Sequence, residues 1–171
     1  MCMNINIRPV TYEDAKYLHE IRIMDGVREN IMALTSERIG KMQSFISGLT
    51  ENQHVYVAEV EENGEKKVVG IVGLTVNTSS RIRHSASIGI NVNKNYHGQG
   101  IGKALLSKVI ELADNWLMLV RLELSVLADN ERAINLYKSV GFEIEGTKKY
   151  AIIKDGKYAN EYVMARYNLP I

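Results

Sequence analysis

His97-Gly98-Gln99-Gly100-Ile101-Gly102-Lys103 is the stretch from which the rest of the chain can be read. Upstream, in a run over 83–92, Ala86, Ile88, Ile90 and Val92 alternate with other residues, as in a strand. Downstream, Ile101, Leu105, Val109, Leu112 and Trp116 fall on one face of a predicted helix. Closely spaced glycines let backbone N–H groups converge on one point, and a helix start adds partial positive charge. Such a segment is either a tight turn or a cradle for phosphate or pyrophosphate. Two common cradles do not fit. A P-loop requires glycine where His97 stands and Ser or Thr where Ala104 stands. A dinucleotide fingerprint requires glycine where Lys103 stands.

Other elements follow on either side. Residues 4–8 read as a short strand stopped by Pro9. Thr11 and Asp14 have capping-box spacing ahead of Ala15, Leu18 and Ile21 at helical intervals. Ser36 is expected to open a second helix carrying Ile39, Met42, Ile46 and Leu49. Alternation over 55–60 and a β-rich run over 68–76 flank Asn63-Gly64, a strong hairpin signal. After the glycine segment and its helix comes a strand over 120–127 with Leu122, Leu124 and Val126 on one side. Asp129 or Asn130 caps a further helix, which Gly141 ends. Strands near 142–153 and 158–167 close the chain around Asp155-Gly156. The order is β-α-α-β-β-β-α-β-α-β-β. It predicts one α/β (α+β) domain over 1–171, with a mixed, mostly antiparallel sheet of about seven strands. The parallel crossover is the one that contains the glycine segment.

Composition bounds the function. The 171 residues carry 21 Lys and Arg against 20 Asp and Glu, a net charge of +1. Nucleic-acid binders that work by bulk charge are far more basic, so no nucleic-acid partner is expected. The single cysteine, Cys2, permits no internal disulfide and no cysteine-rich metal site, and no metal is expected. No signal-like segment or membrane-length apolar run is present, so a cytoplasmic protein without a membrane partner is expected.

Two motif blocks now bear on identity. His97-Gly98-Gln99-Gly100-Ile101-Gly102 is similar to the Gln/Arg-x-x-Gly-x-Gly/Ala signature of the GCN5-related N-acetyltransferase (GNAT) superfamily. Asn130, Leu136-Tyr137 and Gly141-Phe142 resemble its second block, in the expected order. The resemblance covers roughly 4–167. Asp114-Asn115-Trp116-Leu117, Gly141–Thr147 and Met164-Ala165-Arg166 look similar to a bacterial subgroup that acetylates free L-amino acids. The chain departs from the signature at His97, where the family usually carries Gln or Arg.

The resemblance implies the GNAT fold, splayed between its fourth and fifth strands. It implies acetyl-CoA as co-substrate, a small primary amine as acceptor and direct attack in a ternary complex, and it is compatible with a homodimer. By carry-over, Ile90, Asn91 and Val92 pair with the pantetheine arm as an added extended chain would. The N–H groups of Gly98, Gln99, Gly100, Ile101, Gly102 and Lys103 take the pyrophosphate, with His97 leading the loop. The Lys103 side chain either adds charge there or is only solvated. Asn130 caps its helix and can also hold the pantetheine, with Ala133 and Tyr137 beside it. Val92 N–H is the expected oxyanion donor and Tyr137 the expected acid for the leaving thiolate.

The family's usual glutamate base aligns with Ser87, which cannot serve. Deprotonation then goes through water, another residue, or precedes binding. Glu123 is a candidate base, and Glu29 and His84 are candidate substrate-site groups. Tyr150, Tyr158, Tyr162 and Tyr167 either line an acceptor pocket or reflect ordinary strand composition. Three functions stay open: acetylation of a small amine, acetylation of protein or peptide N-termini, and acyl-CoA sensing without catalysis.

Overall fold

The computed structural model describes residues 4–169; Cys2, the single cysteine, lies outside them. One seven-stranded sheet runs in the order β1-β2-β3-β4-β5-β7-β6. The strands are β1 (Ile5–Pro9), β2 (Gln53–Glu62), β3 (Glu65–Val76), β4 (Ser85–Val92), β5 (Arg121–Leu127), β6 (Glu143–Lys154) and β7 (Lys157–Tyr167). The main helices are α1 (Ala15–Ile23), α2 (Ile39–Ser47), α3 (Ile101–Asn115) and α4 (Glu131–Ser139). Every neighbouring strand pair is antiparallel except β4–β5. No helix among the described residues is long and apolar enough to cross a membrane.

The local signals act as their chemistry requires. The Asp14 carboxylate accepts the Thr11 N–H at 2.8 Å and a two-pronged bond from Arg8, which fixes the entry to α1. Asn63-Gly64 and Asp155-Gly156 each have two positive φ angles, as a two-residue hairpin turn demands. Gly141 follows α4 at φ +96°, where only a residue without Cβ sits at ease.

Two expectations fail at helix ends. Ser36 does not open α2, whose N-cap is Arg38. Residues 34–37 turn instead, so that the Glu37 carboxylate folds back onto Arg22 and Lys41. These two cations hold the Glu37 carboxyl down at about 2. Trp116 does not join the apolar face of α3. It is the C-cap, 75% exposed, with its indole N–H on Glu111, because the chain turns away through Met118 at φ +51°.

Two layers of helix cover the sheet. On one face α3 and α4 pack Ile101, Leu105, Leu106, Val109 and Tyr137 against Leu74, Ala86, Leu122 and Leu124. On the other, α1 and α2 pack Ala15, Leu18 and Met42 against Val57 and Val68. A bidentate pair at 2.8 Å from Arg166 to Asp114 ties β7 to the end of α3. That pair joins two of the stretches that resemble the amino-acid subgroup.

Gly70 lies tight under α3. A Cβ there would lie 3.0 Å from Leu105 Cδ1 and 3.2 Å from both the Asn91 carbonyl oxygen and Ile101 Cγ2. Backbone cannot yield as a side-chain tip does. Gly70→Ala is expected to cost about 1–3 kcal/mol, as overpacked cores do. Thermal unfolding followed by circular dichroism should then show a midpoint roughly 2–12 °C lower. An unchanged midpoint would mean that α3 is free to shift.

Candidate active site

The parallel β4–β5 pairing covers only Ser85↔Arg121, Ala86↔Leu122 and Ser87↔Glu123. Beyond Ser87 the two strands part. Strand alternation decides which backbone groups are left in the gap. The Ser85 carbonyl accepts from Asn77 N and Asn93 N donates to Val69 O, so the odd-numbered residues of β4 turn their N–H and C=O toward β3. The His84 carbonyl accepts from Val120 N and Arg121 N, so the even-numbered residues turn toward β5. Ile88, Ile90 and Val92 therefore turn backbone groups to the gap; the Val92 carbonyl is taken up by His97, which leaves its N–H open. Asn91 lies on the cavity wall, but its main-chain groups face β3.

A cavity of about 950 Å³ fills this gap and continues along the α1–α2 face of the sheet. One end is made by the glycine loop. Gly98 and Gly100 have φ of +75° and +85°, and Gly100 is the N-cap of α3. The first N–H groups of a helix have no partner within it. Here those of Ile101, Gly102 and Lys103 open onto the cavity end, beside Gly98 and Gly100, and all five residues line the cavity. Gly102 also lets α4 close in, since a Cβ there would meet Leu136 Cδ2 at 2.8 Å.

His97 replaces the family's Gln or Arg with a definite contact. Its Nε2 lies 2.9 Å from the Val92 carbonyl. A carbonyl only accepts, so Nε2 carries a proton and donates it. Burial, with a lesser push from Arg132, lowers the imidazole below its ordinary range, against the bond to Val92. A neutral ring thus ties the loop to the end of β4. Gln99 lies on the loop but is absent from the cavity wall; its side chain donates to the Asn95 carbonyl.

The α4 side closes the gap. Asn130 caps the helix, its Oδ1 accepting Ala133 N–H at 3.3 Å, and both residues line the cavity. Tyr137 is 7% exposed, lines the same wall and packs its ring 6.1 Å from that of Phe142. Burial pushes its phenol up to about 12.

Several sequence-picked groups are not brought here. His84 is exposed at the closed end of the β4–β5 pair, away from the cavity. The Glu123 carboxylate is bound by Arg121 at 3.1 Å and lies outside the cavity. Glu29 is spent on Gly26 N–H at 2.7 Å and on Arg28 at 3.0 Å. Its neighbours Asn30, Ile31 and Met32 do line the wall. None of the four C-terminal tyrosines lines it: Tyr150 and Tyr158 are 75% and 70% exposed, edge-on to one another. Tyr150 is on the outer strand β6, Tyr158 lies on β7 before its pairing with β5 begins at Glu161, Tyr162 packs toward the α3–α4 core, and Tyr167 gives its hydroxyl to Glu145.

Sequence reading missed Glu161, Arg132 and the apolar groups Val27, Met42, Phe45 and Ile152, all on the cavity wall. Alternation in the 158–167 strand offered two faces without saying which one met a gap.

Several known proteins are similar to this chain. The profile of the Acetyltransferase (GNAT) family matches residues 25–142. The L-amino acid N-acetyltransferase AaaT of Escherichia coli K12 is 43% identical over 99 residues. That match takes in 58% of this chain and 61% of AaaT, so the chain spans less than two thirds of that relative. The spermidine N(1)-acetyltransferase of the same organism is 25% identical over 157 residues, 92% of this chain and 82% of that one. Among solved structures, the ribosomal-protein-alanine N-acetyltransferase from Brucella melitensis superposes with a TM-score of 0.81 at 27% identity, over 95% of this chain and 99% of that one.

Proposed function

This chain belongs to the acetyltransferase (GNAT) family, and we propose that it transfers the acetyl group of acetyl-CoA to the primary amine of a small molecule, a free L-amino acid. The observation that carries the reading is the gap in the sheet. Pairing of β4 with β5 ends at Ser87, and the backbone of Ile90 and Val92 is left facing the opening beside the glycine loop. An extended pantetheine arm adds to that backbone as a strand would. The pyrophosphate then rests on the N–H groups at the start of α3.

Acyl transfer builds negative charge first on the thioester oxygen and then on sulfur. The Val92 N–H, turned into the gap, supports the oxygen. Tyr137 supports the sulfur. Burial holds its phenol well above a free thiol in pKa, so outright transfer to the thiolate runs uphill. Tyr137 therefore works as a hydrogen-bond donor and relay. The proton that ends on sulfur is one the attacking nitrogen must lose in any case.

Cavity charge bears on the acceptor. Among the described residues Glu161 is the one acid on the wall, against Arg22, Lys41, Lys103 and Arg132. Several ammonium groups on one acceptor would find a single carboxylate among these cations. A monoamine with an apolar body fits better, and Val27, Met42 and Phe45 offer such a body its wall. Retention of Tyr137 argues against a sensor without catalysis.

Thermal unfolding with acetyl-CoA, and with NADH and ATP as controls, tests the reading. At 100 times its dissociation constant a ligand stabilises by about 2.7 kcal/mol. A rise of about 5–11 °C is expected with acetyl-CoA alone. A rise with a nucleotide instead would reassign the loop.

A further inference from the structure

We propose that Glu161 is the proton acceptor for the incoming amine, taking over through one water the duty that Ser87 cannot perform. The inference rests on the acetyltransferase reading above. Glu161 is the only Asp or Glu on the cavity wall among the described residues. Its side chain is 12% exposed, and its nearest cation, Lys148 on β6, stands at 4.0 Å, beyond hydrogen-bond reach. The other candidate carboxylates are already bound: Glu123 by Arg121 and Glu29 by Arg28.

Register puts Glu161 at the correct level. It pairs with Leu127 across β5–β7 and shares that residue's face of the sheet. Continuing the parallel register from Ser87↔Glu123 sets Leu127 level with Asn91, one residue from the Val92 N–H. The carboxylate thus stands across the gap from the oxyanion donor, one strand beyond β5. Two strand spacings of about 4.8 Å, widened where β4 and β5 part, leave room for the amine and for water between the two groups.

The enclosure supplies the driving force. An ammonium drawn beside a carboxylate among Val27, Ile31 and Ile152 is an ion pair in apolar surroundings. Charges held there without full solvation tend to neutralise. One ammonium proton passes through the water to Glu161, and the nitrogen lone pair attacks the thioester carbon. The C–N bond forms, the tetrahedral adduct collapses, and the C–S bond breaks. A second nitrogen proton reaches sulfur by way of Tyr137, the third stays on the amide, and Glu161 returns its proton to solvent. The other charged and titratable groups around this space are Lys148 on β6, Arg22 and Lys41 (both on Glu37), Lys103, Arg132, Tyr96, His97 on the Val92 carbonyl, and Tyr137. No titratable group faces Glu161 from β5, where its partner is Leu127.

The test is kcat/KM against pH from 6 to 10 for wild type, Glu161→Gln, Glu161→Asp and His97→Gln. Thiol release is followed with L-methionine, L-phenylalanine and spermidine as acceptors, and each variant's unfolding midpoint is checked. Glu161→Gln should lose about 100-fold near neutrality, and the loss should shrink to a few fold at high pH, where the amine arrives already neutral. Glu161→Asp should recover part of the rate at pH 7. A loss equal at all pH values would mark a structural role and overturn the proposal. So would a loss under threefold, or the pH-dependent loss appearing in His97→Gln instead. Wild-type turnover with none of the three amines, while acetyl-CoA still raises the unfolding midpoint, would overturn the proposed acceptor and this assignment with it.

Discussion

Tyr137→Phe is expected to lower kcat by about 100-fold or more, the scale of a lost proton-transfer partner. The change removes one oxygen and keeps the ring. That ring is 7% exposed and packed against Phe142, so the fold should hold and the unfolding midpoint should stay close to wild type. In the proposed binding mode acetyl-CoA is held mainly by backbone at β4 and the glycine loop, so its dissociation constant should stay within about threefold. Steady-state kinetics beside a direct titration of acetyl-CoA separate these quantities. A kcat within threefold of wild type would remove Tyr137 from the chemistry. Sign matters for pH as well. With the phenol pushed up to about 12, Tyr137 stays protonated from acid to mildly alkaline solution. Any limb of the wild-type pH profile below that range belongs to another group.

Phe142→Ala should destabilise the fold more than Gly70→Ala or any of the site substitutions. Phe142 is 2% exposed, lies at the end of α4 and supports the ring of Tyr137 at 6.1 Å. Truncating a buried aromatic costs about 3–5 kcal/mol. For a chain of this length the midpoint should fall by roughly 6–20 °C. Turnover should fall as well, because the cavity beneath Tyr137 lets its hydroxyl move. Phe142→Leu should recover most of the stability and less of the turnover. If Phe142→Ala is destabilised but keeps full kcat below its midpoint, the ring does not position Tyr137. The Gly-Phe pair in the second motif block is thus explained without contact to any ligand: the glycine turns the chain and the phenylalanine holds the tyrosine.

Much of this architecture was legible because its signals are local. Asn63-Gly64 and Asp155-Gly156 announce hairpins through the φ angles they tolerate, and Asn130 announces a helix through its cap. The glycine loop reads directly, since its function is to lack side chains. What stayed hidden depends on pairing between distant segments. Glu123 and Glu161 both sit in alternating strands, and nothing local says which one meets a cavity. That is decided by where β4 and β5 part and by the Leu127↔Glu161 register. The tyrosines near the C-terminus stayed undecided for a related reason. The chain runs β5, β6, β7, but β7 takes the inner place and its pairing with β5 begins only at Glu161, which leaves Tyr158, like Tyr150 on the outer β6, in solvent. Trp116 kept helical spacing one residue past the helix end.

The outermost strands carry a different consequence, for how copies of this chain behave toward one another. A sheet with open edges invites strand addition and aggregation. Here one edge is β1, five residues long, ending in Pro9 and carrying Arg8. The other is β6, where register breaks between Ile144 and Gly146 and again between Lys148 and Ile152. At the second break Tyr150 adopts φ +53° and gives its N–H to the Asn160 side chain. Bulges of this kind bend a strand out of the flat form that a neighbour needs. With both outer edges blunted, the backbone that remains ready to receive an extended partner lies inside the sheet, at Ile90 and Val92. A second copy of the chain cannot reach it, and a thin flexible arm can.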